Sequence, residues 1–334
     1  MIKVGQIGLN YGLNVQIPAF LNDSRFQLTS ICSRNMKKNQ EIAKKLGISH
    51  FTDSPEELFS MVDAVSLAVP PNDQARFLKH ALKEGLHVFF EKPLGFTFDR
   101  KHNFLNHQAL VADFEFMEID VWKDLKQLIA RNELGSVLHA EVIWNVETYA
   151  VSKKLNSWKT NSKLSGGALN NFAAHSLHYM EKFMGKISEV DVKALQHESH
   201  GEEVVYIYLK FFSGAAASLC ISTNTYKGSG HSLEFTCSEG TALLRNKENS
   251  TVSDFTLDVH KKSGETYHKE SLWKKRPGED DRILAVSSLV KKFGDWIENG
   301  EPQEPGISEA TRVENLLNMC KLSIERNKII PIKV

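Results

Sequence analysis

Two apolar runs of strand type flank one stretch of helical periodicity, and that arrangement limits the fold more than any other feature of the chain. The runs are Asp63-Ala64-Val65-Ser66-Leu67-Ala68-Val69-Pro70-Pro71 and His87-Val88-Phe89-Phe90-Glu91-Lys92-Pro93-Leu94-Gly95. Between them Asn72 offers an N-cap and Gly85 lies past the last turn, so Asn72 to Gly85 is predicted to be one helix. A strand, a crossover helix and a strand in this order form a right-handed parallel unit in nearly every known case. Both strands then end on the same edge of a sheet, where open α/β folds bind ligands. That edge carries Glu91-Lys92-Pro93, an acid and a lysine held by a stiff ring, which makes Lys92 a candidate reactive group. A lone lysine at a strand end would otherwise read as a surface residue.

The same alternation extends to both sides. Ile2 to Leu9 is predicted as a strand leading through Gly8-Leu9-Asn10-Tyr11-Gly12 into a helix over Ile17-Pro18-Ala19-Phe20. Phe26 to Cys32 is a second strand, Lys37 to Leu46 a helix ended by Gly47, and His50 to Thr52 a short extended piece. Ser54-Pro55-Glu56-Glu57 is a helix start, with serine at the N-cap and proline at N1. A helix from about Thr97 to Ala109 and a strand over Leu110 to Phe116 complete the series. Such spacing indicates a doubly wound parallel sheet of Rossmann type over residues 1–117.

From residue 118 to 334 the pattern changes to an α+β domain with a large open, mostly antiparallel sheet. A helix over Trp122 to Arg131 precedes long strands at Val137–Val146, Val204–Phe212, Ala215–Thr223, Ser232–Cys237 and Phe255–His260. Helices over Asp281 to Gly300 and Ile307 to Arg326 close the chain. Val204 to Leu209 is apolar on both faces, so it calls for cover on both sides. One face takes the domain's own helices, and the other is expected to take a second copy in a homodimer or homotetramer.

Composition narrows the partners. Lysine plus arginine equals aspartate plus glutamate at 41 each, which gives no reason to expect nucleic acid or an anionic membrane. No run of 18 apolar residues is present to span a bilayer, and the N-terminus enters a strand directly, so no signal peptide is expected. The cysteines Cys32, Cys220, Cys237 and Cys320 are scattered, and three lie in apolar runs, where a thiol serves as a small hydrophobe. The expectation is a reduced, cytoplasmic protein with no metal, in which Asn249-Ser250-Thr251 has no meaning as a glycosylation site.

The first turn suits a dinucleotide. Glycines let the backbone approach a pyrophosphate, and a helix N-terminus supplies N–H groups and a positive dipole end. Gly8 and Gly12 are in place, and Asn10 takes the middle glycine position, tolerating positive φ better than most residues. At the end of the second strand an acid would select NAD by bonding the ribose hydroxyls. Ser33-Arg34 stands there instead, a hydroxyl and a guanidinium suited to a 2′-phosphate, so NADP(H) is preferred and NAD(H) possible. The alternative is a solvated loop arginine.

On these motifs the chain resembles the Gfo/Idh/MocA oxidoreductases. The likeness continues through Gly135 in the Glu133-Leu134-Gly135 turn, Trp158-Lys159, Ser165-Gly166-Gly167-Ala168-Leu169, His175 and the closing Leu322-Ser323-Ile324-Glu325-Arg326. It covers essentially the whole chain, and the Glu-Lys-Pro segment with its upstream Pro-Pro strand is its specific part. The resemblance implies hydride transfer between NAD(P) and a secondary alcohol or ketone of a sugar, cyclitol or nucleotide-linked sugar. It also implies a C-terminal sheet that packs subunits together and allows a cis peptide before Pro93. Lys92 matches the family lysine near nicotinamide and substrate. His175 matches the family histidine, and Asn171 stands where the family has aspartate, which an asparagine replaces in orientation but not in charge. Without the resemblance His175 is a helix histidine of no assigned role.

Cofactor contacts are expected from Gly8, Asn10, Tyr11 and Gly12 in the first turn, and from Ser33 and Arg34. Pro70, Glu91 and Lys92 complete that set. Tyr149, Trp158 and Lys159 are substrate-pocket candidates, although Trp158 fits a core position equally well. Gln16 stands where many relatives have histidine, Pro93 to Asp113 is shorter than usual, and Asp113-Phe114-Glu115 puts acids where others carry asparagine or arginine. The reading from another class is a regulatory protein that binds NAD(P) and a sugar without turnover.

Overall fold

The structure is a computed structural model that describes residues 1–96, 107–155, 157–196, 201–246, 251–274 and 276–333. The chain forms two compact units, Met1–Glu115 with Arg276–Arg312 and Phe116–Lys275 with Val313–Val334. The first crossing lies close to the expected boundary at 117, and residues 276–312 join the first unit.

The first unit is built on six strands, β1 (Ile2–Ile7), β2 (Phe26–Cys32), β3 (His50–Thr52), β4 (Ala64–Leu67), β5 (His87–Phe90) and β6 (Leu110–Ala112). They are parallel throughout and ordered β3-β2-β1-β4-β5-β6, the Rossmann order. The helices between them are α1 (Ile17–Leu21), α2 (Met36–Leu46), α3 (Pro55–Phe59) and α4 (Pro71–Lys83). Local chemistry sets their ends: the Asn35 side chain caps α2, Gly47 stops it in the left-handed region, and Ser54 caps α3 ahead of Pro55. Helix α4 starts at Pro71 with Pro70 as its N-cap, ahead of the expected cap at Asn72. Pro71 is preset at the helical φ and lacks the N–H that the first turn would leave unpaired, so the helix begins on it.

The strand expected over Leu110 to Phe116 ends at Ala112. The Phe114 N–H bonds back to Ala112 O instead of extending the ladder, and Glu115–Glu118 is a 3₁₀ turn. The helix expected from Thr97 to Ala109 falls largely on residues 97–106, and the Asn249-Ser250-Thr251 pattern partly on 247–250; both segments lie outside the described residues.

The second unit contains β7 (Val137–Asn145), β8 (Ile187–Leu195), β9 (Val204–Phe211), β10 (Ala216–Ser222), β11 (Gly230–Cys237), β12 (Gly240–Arg245), β13 (Thr256–Lys261), β14 (Thr266–Glu270) and β15 (Ile330–Pro331). They form one sheet, β14-β13-β12-β11-β7-β10-β9-β8-β15, in which β7 and β10 are parallel and the other pairs antiparallel. The sequence reading lacks β8, where charged residues alternate with apolar ones, the short β12 and β15, and β14, which is almost wholly polar. Its helices are α5 (Asp120–Ala130), α6 (Tyr149–Ser152) and α7 (Ala174–Met184).

An aromatic core joins α5 and α7 to the sheet: Trp122 meets Tyr179 at 5.0 Å and Phe255 at 5.2 Å, and Phe183 meets Phe235 at 5.1 Å. His231 on β11 lies flat on Trp144 at 4.1 Å, with its Nε2 3.0 Å from the Tyr179 hydroxyl. That hydroxyl donates to Ser176 Oγ at 2.8 Å, so the ring's Nε2 carries the proton, and burial pushes the His231 pKa down to about 3.

Helix α8 (Ile283–Asn299) belongs to the first unit, where Phe293 packs on Phe20, Phe26 and Phe89. Arg25 fastens it through Asp295 at 2.7 Å. Helix α9 (Ile307–Arg326) follows, and in the second unit its Ser323 Oγ accepts from Val192 N on β8 at 2.9 Å. All four cysteines are free thiols, and Cys32, Cys237 and Cys320 are buried. Among the described residues no helix is long and apolar enough to cross a membrane.

Candidate active site

The strand order reverses at β1, and Gly8 lies there, between the ends of β1 and β4. Its φ is +93°, and a Cβ on it would come within 2.2 Å of Ala68 O, so backbone conformation and close approach both require glycine. Positive φ is confined to Gly8 in this turn; Asn10 does not adopt it. Instead Asn10 Oδ1 and Leu9 O accept from Lys38 Nζ on α2, at 3.2 and 3.0 Å. Lys38 thus holds the turn, a role with no motif to announce it. Gly12 opens a π-type turn over Gly12–Gln16 that runs on into α1. The bare backbone at Gly8 and the helix start after Tyr11 fit a dinucleotide's pyrophosphate.

At the end of β2 the Ser33 hydroxyl is bonded to Asn39, whose amide also donates to Ser33 O and Thr52 O at 2.8 Å each. Arg34 is exposed and pairs with Asp73 in the first turn of α4 at 2.6 Å. Pro70 stands just before that turn, as the cap of α4.

The residues around Lys92 are joined through one amide, that of Gln16. Gln6 Nε2 reaches three backbone carbonyls (Ile7, Gly8 and Ser66) and also Gln16 Oε1, at 3.2–3.3 Å. Ser66 Oγ donates to the same Oε1 at 2.7 Å. Those contacts fix the amide's orientation, so the Gln16 NH₂ faces Glu91 Oε1 at 3.0 Å and Asp113 Oδ2 at 3.4 Å. The Tyr11 hydroxyl donates to Asp113 Oδ2 at 3.2 Å, and Arg282 lies over the Tyr11 ring at 4.8 Å while paired with Asp280 at 2.6 Å. Gln74 on α4 donates to Pro93 O at 2.9 Å, next to the cis Lys92–Pro93 peptide, and so steadies the Lys92 segment.

Burial shapes the charges here. It disfavours the Lys92 ammonium and lowers its pKa, against the support of Glu91, Glu115 and Asp113. It raises the Asp113 pKa, helped by the charge and hydrogen bond of Glu91 and opposed by Gln16 and Lys92. Glu115 is pushed up to about 8, by burial first and then by Asp113. The Tyr11 hydroxyl is raised by burial and then by Asp113 and Glu91. Among the described residues no group of three or more His, Cys, Asp or Glu is arranged to hold a metal ion. The sequence marked Gln16, Asp113 and Glu115 only as departures; Arg282 carried no signal.

The other expected site residues lie in the second unit. Leu169–Ala173 forms a π-type turn that continues into α7, which places Asn171 in the π turn and His175 in the first turn of α7. Asn171 Nδ2 donates to Gly167 O at 2.8 Å and Lys159 O at 3.2 Å, which ties the glycine turn to the Trp158–Thr160 segment. His175 is buried, edge-on to Phe116 at 5.0 Å. Trp158 is half-buried, with Lys159 Nζ 5.8 Å from its ring centre, and Tyr149 is exposed on α6. The structure therefore brings together Tyr11, Glu91 and Lys92 with Gln16, Asp113 and Glu115 in one unit, and Asn171 with Lys159 in the other.

Comparison with known proteins follows both units. The family model described as "Oxidoreductase family, NAD-binding Rossmann fold" matches residues 2–109, and "Oxidoreductase family, C-terminal alpha/beta domain" matches 126–334. An uncharacterized oxidoreductase of Synechocystis sp. is 26% identical over 266 residues, 73% of this chain and 71% of its own length. Glucose-6-phosphate 3-dehydrogenase of Bacillus subtilis is 23% identical over 52% of this chain and 51% of its own. Among solved structures, levoglucosan dehydrogenase in complex with NADH and levoglucosan superposes with a TM-score of 0.87 over 99% of both chains, at 16% identity. At that identity the superposition speaks for the fold.

Glu115 gives a pH-dependent stability. Folded, it keeps its proton up to about pH 8, whereas an unfolded glutamate releases it near its ordinary value of 4.5. Between those values the folded state holds the extra proton, so this group's contribution to stability falls as pH rises through the window. Glu115→Gln, a neutral isostere, is expected to melt near wild type at pH 5.5 and above it at pH 8.5. The gain should be at least about 2 °C, the size of ~1 kcal/mol in a chain of this length. Thermal unfolding at the two pH values checks this, and an equal offset at both contradicts it.

Proposed function

The chain belongs to the Gfo/Idh/MocA oxidoreductase family, and on that premise we propose that it moves a hydride between a nicotinamide cofactor and a secondary alcohol or ketone on a sugar, cyclitol or nucleotide-linked sugar. The observation that carries this reading is Lys92, held at the carboxyl edge of the parallel sheet among buried carboxyls. The names of two similar proteins, glucose-6-phosphate 3-dehydrogenase and levoglucosan dehydrogenase, support a sugar-like substrate.

A bound nicotinamide supplies the hydride chemistry. In oxidation the carbon loses a hydride and its oxygen a proton, leaving a ketone; reduction reverses both. Lys92 hydrogen-bonds the reacting oxygen and stabilises the negative charge it develops. His175 exchanges a proton, with Asn171 holding the local backbone and adding no charge, and Tyr149, Trp158 and Lys159 contact the substrate. Gly8, Asn10, Tyr11 and Gly12 carry the cofactor's pyrophosphate, with Pro70, Glu91 and Lys92 toward its nicotinamide. The test is a panel of sugars, cyclitols and nucleotide sugars followed by absorbance of the reduced nicotinamide. Wild type is expected to turn over a member of the panel. Lys92→Ala should lose turnover while cofactor binding stays within about tenfold, or ~1.4 kcal/mol. Tight cofactor and sugar binding with no turnover across the panel would instead favour a binding protein.

NADP(H) is the preferred cofactor in this reading. The Ser33 proton is engaged with Asn39, so the 2′-phosphate falls to Arg34, with Lys38 as a neighbouring charge. The exposed Arg34–Asp73 pair is no obstacle, since such pairs contribute only ~0–1 kcal/mol. Arg34→Asp should reverse the ratio of NADPH to NADH affinities measured by titration; equal affinities in wild type contradict the assignment.

The second unit's sheet is the proposed oligomer surface. Val205, Ile207 and Leu209 on β9 are buried, while Tyr206 and Tyr208 on the opposite face are 51% and 49% exposed. Tyr206 registers with Cys220 on β10, and Cys220 with Ile143 on β7, which continues the apolar row across the sheet. Light scattering is expected to give at least a dimer at micromolar concentration, and a monomer there rules out this surface.

A further inference from the structure

Glu91 and Asp113 accept from the same Gln16 amide nitrogen, at 3.0 and 3.4 Å, and lie within hydrogen-bond reach of each other. Asp113 is 1% exposed, and its Oδ1 has no amide, hydroxyl or ammonium donor among the described residues. A carboxyl proton is the donor such a pair still lacks. Two carboxylates this close, one of them buried, resist ionising together. The charged and titratable groups facing them within the unit are Tyr11 before α1, Lys92 after β5, Glu115 after β6, and Arg282 with its Asp280 partner before α8.

We infer that Glu91 and Asp113 form one carboxyl pair that keeps a single proton at neutral pH and serves as the proton store of Lys92. This rests on the hydride-transfer reading and gives the one proton of each turnover a route through Lys92 in place of the one assigned there to His175. In reduction, Lys92 gives an ammonium proton to the oxygen of the new alcohol, and the carboxylic acid of the pair returns a proton to the amine. The pair is left as two carboxylates beside a restored ammonium and is refilled from solvent. In oxidation the substrate's hydroxyl proton runs the other way, through the amine to the pair. Asp113 acts through Lys92 and is a positioning residue. Gln16 is the clamp, because its two N–H bonds hold the carboxyls together and favour the pair's remaining negative charge.

The first arm needs no substrate. Side-chain carboxyls of the full chain, labelled with ¹³C at Asp and Glu, are titrated by NMR with Asp113→Asn and Glu91→Gln as assignments. One proton is expected to remain on the pair above pH 7; both carboxyls ionised by pH 6 would overturn the inference. Gln16→Met keeps both carboxyls and removes a donor to the anion, so it should move this titration up by at least about one pH unit, and no movement overturns the clamp.

The second arm is the pH profile of reduction. Asp113→Asn leaves Glu91 without its like-charged partner, so the acid form is lost at lower pH. The alkaline limb should move down by at least about one unit and kcat fall at least about tenfold, with KM for cofactor unchanged and Asp113→Glu restoring both. An unchanged limb, or a loss confined to KM, overturns the store. If wild type turns over nothing on the panel, the hydride-transfer reading and the store's use in it fail together. The titration arm still decides whether the pair holds its proton.

Discussion

The side-chain amide of Gln16 ties together the ends of four strands. Its oxygen accepts from Gln6 of β1 and Ser66 of β4, and its nitrogen donates to Glu91 after β5 and Asp113 after β6. In a parallel sheet those ends share one edge, and polar groups brought there out of water each need a partner. One primary amide with a fixed orientation supplies the partners on both sides. The position of Lys92 depends on this, because Glu91 is the residue before it and the next peptide is pinned by Gln74.

Much of this fold was legible because strand periodicity, caps and prolines act locally. The spans of β2, β3 and α9 coincide with their sequence ranges, and α3 starts at Ser54-Pro55 for the reasons its residues give. What was not legible depended on distant partners. Strand β14 is almost wholly polar and exists by pairing with β13, and residues 276–312 join the first unit through contacts such as Ala112 N to Pro305 O and Phe293 on Phe20. Neither has a local signature.

The site divides in the same way. Gly8 and Lys92 lie in contiguous motifs, and the structure sets them just after β1 and β5. The meaning of Gln16, Asp113 and Glu115 was not readable, because each departs from a pattern and the departures explain one another only in three dimensions. A neutral amide at position 16 can serve two carboxyls at once, with its oxygen turned to Gln6 and Ser66. Arg282 enters from a segment about 170 residues beyond Asp113, a spacing no local pattern could flag.

A charge count shows how so many acids are held at this edge. Lys92 and Arg282 are positive and Asp280 is negative. If Glu91 and Asp113 were both ionised, and Glu115 with them, these six groups would carry a net charge of minus two, which the burial of Asp113 and Glu115 makes costly. With one proton on the pair and one on Glu115, whose pKa lies at about 8, the sum is zero at neutral pH. Lys92 can then stay charged beside a single counter-charge. The acids that at first look like a poor setting for hydride chemistry at an alcohol thus become a neutral assembly carrying two exchangeable protons.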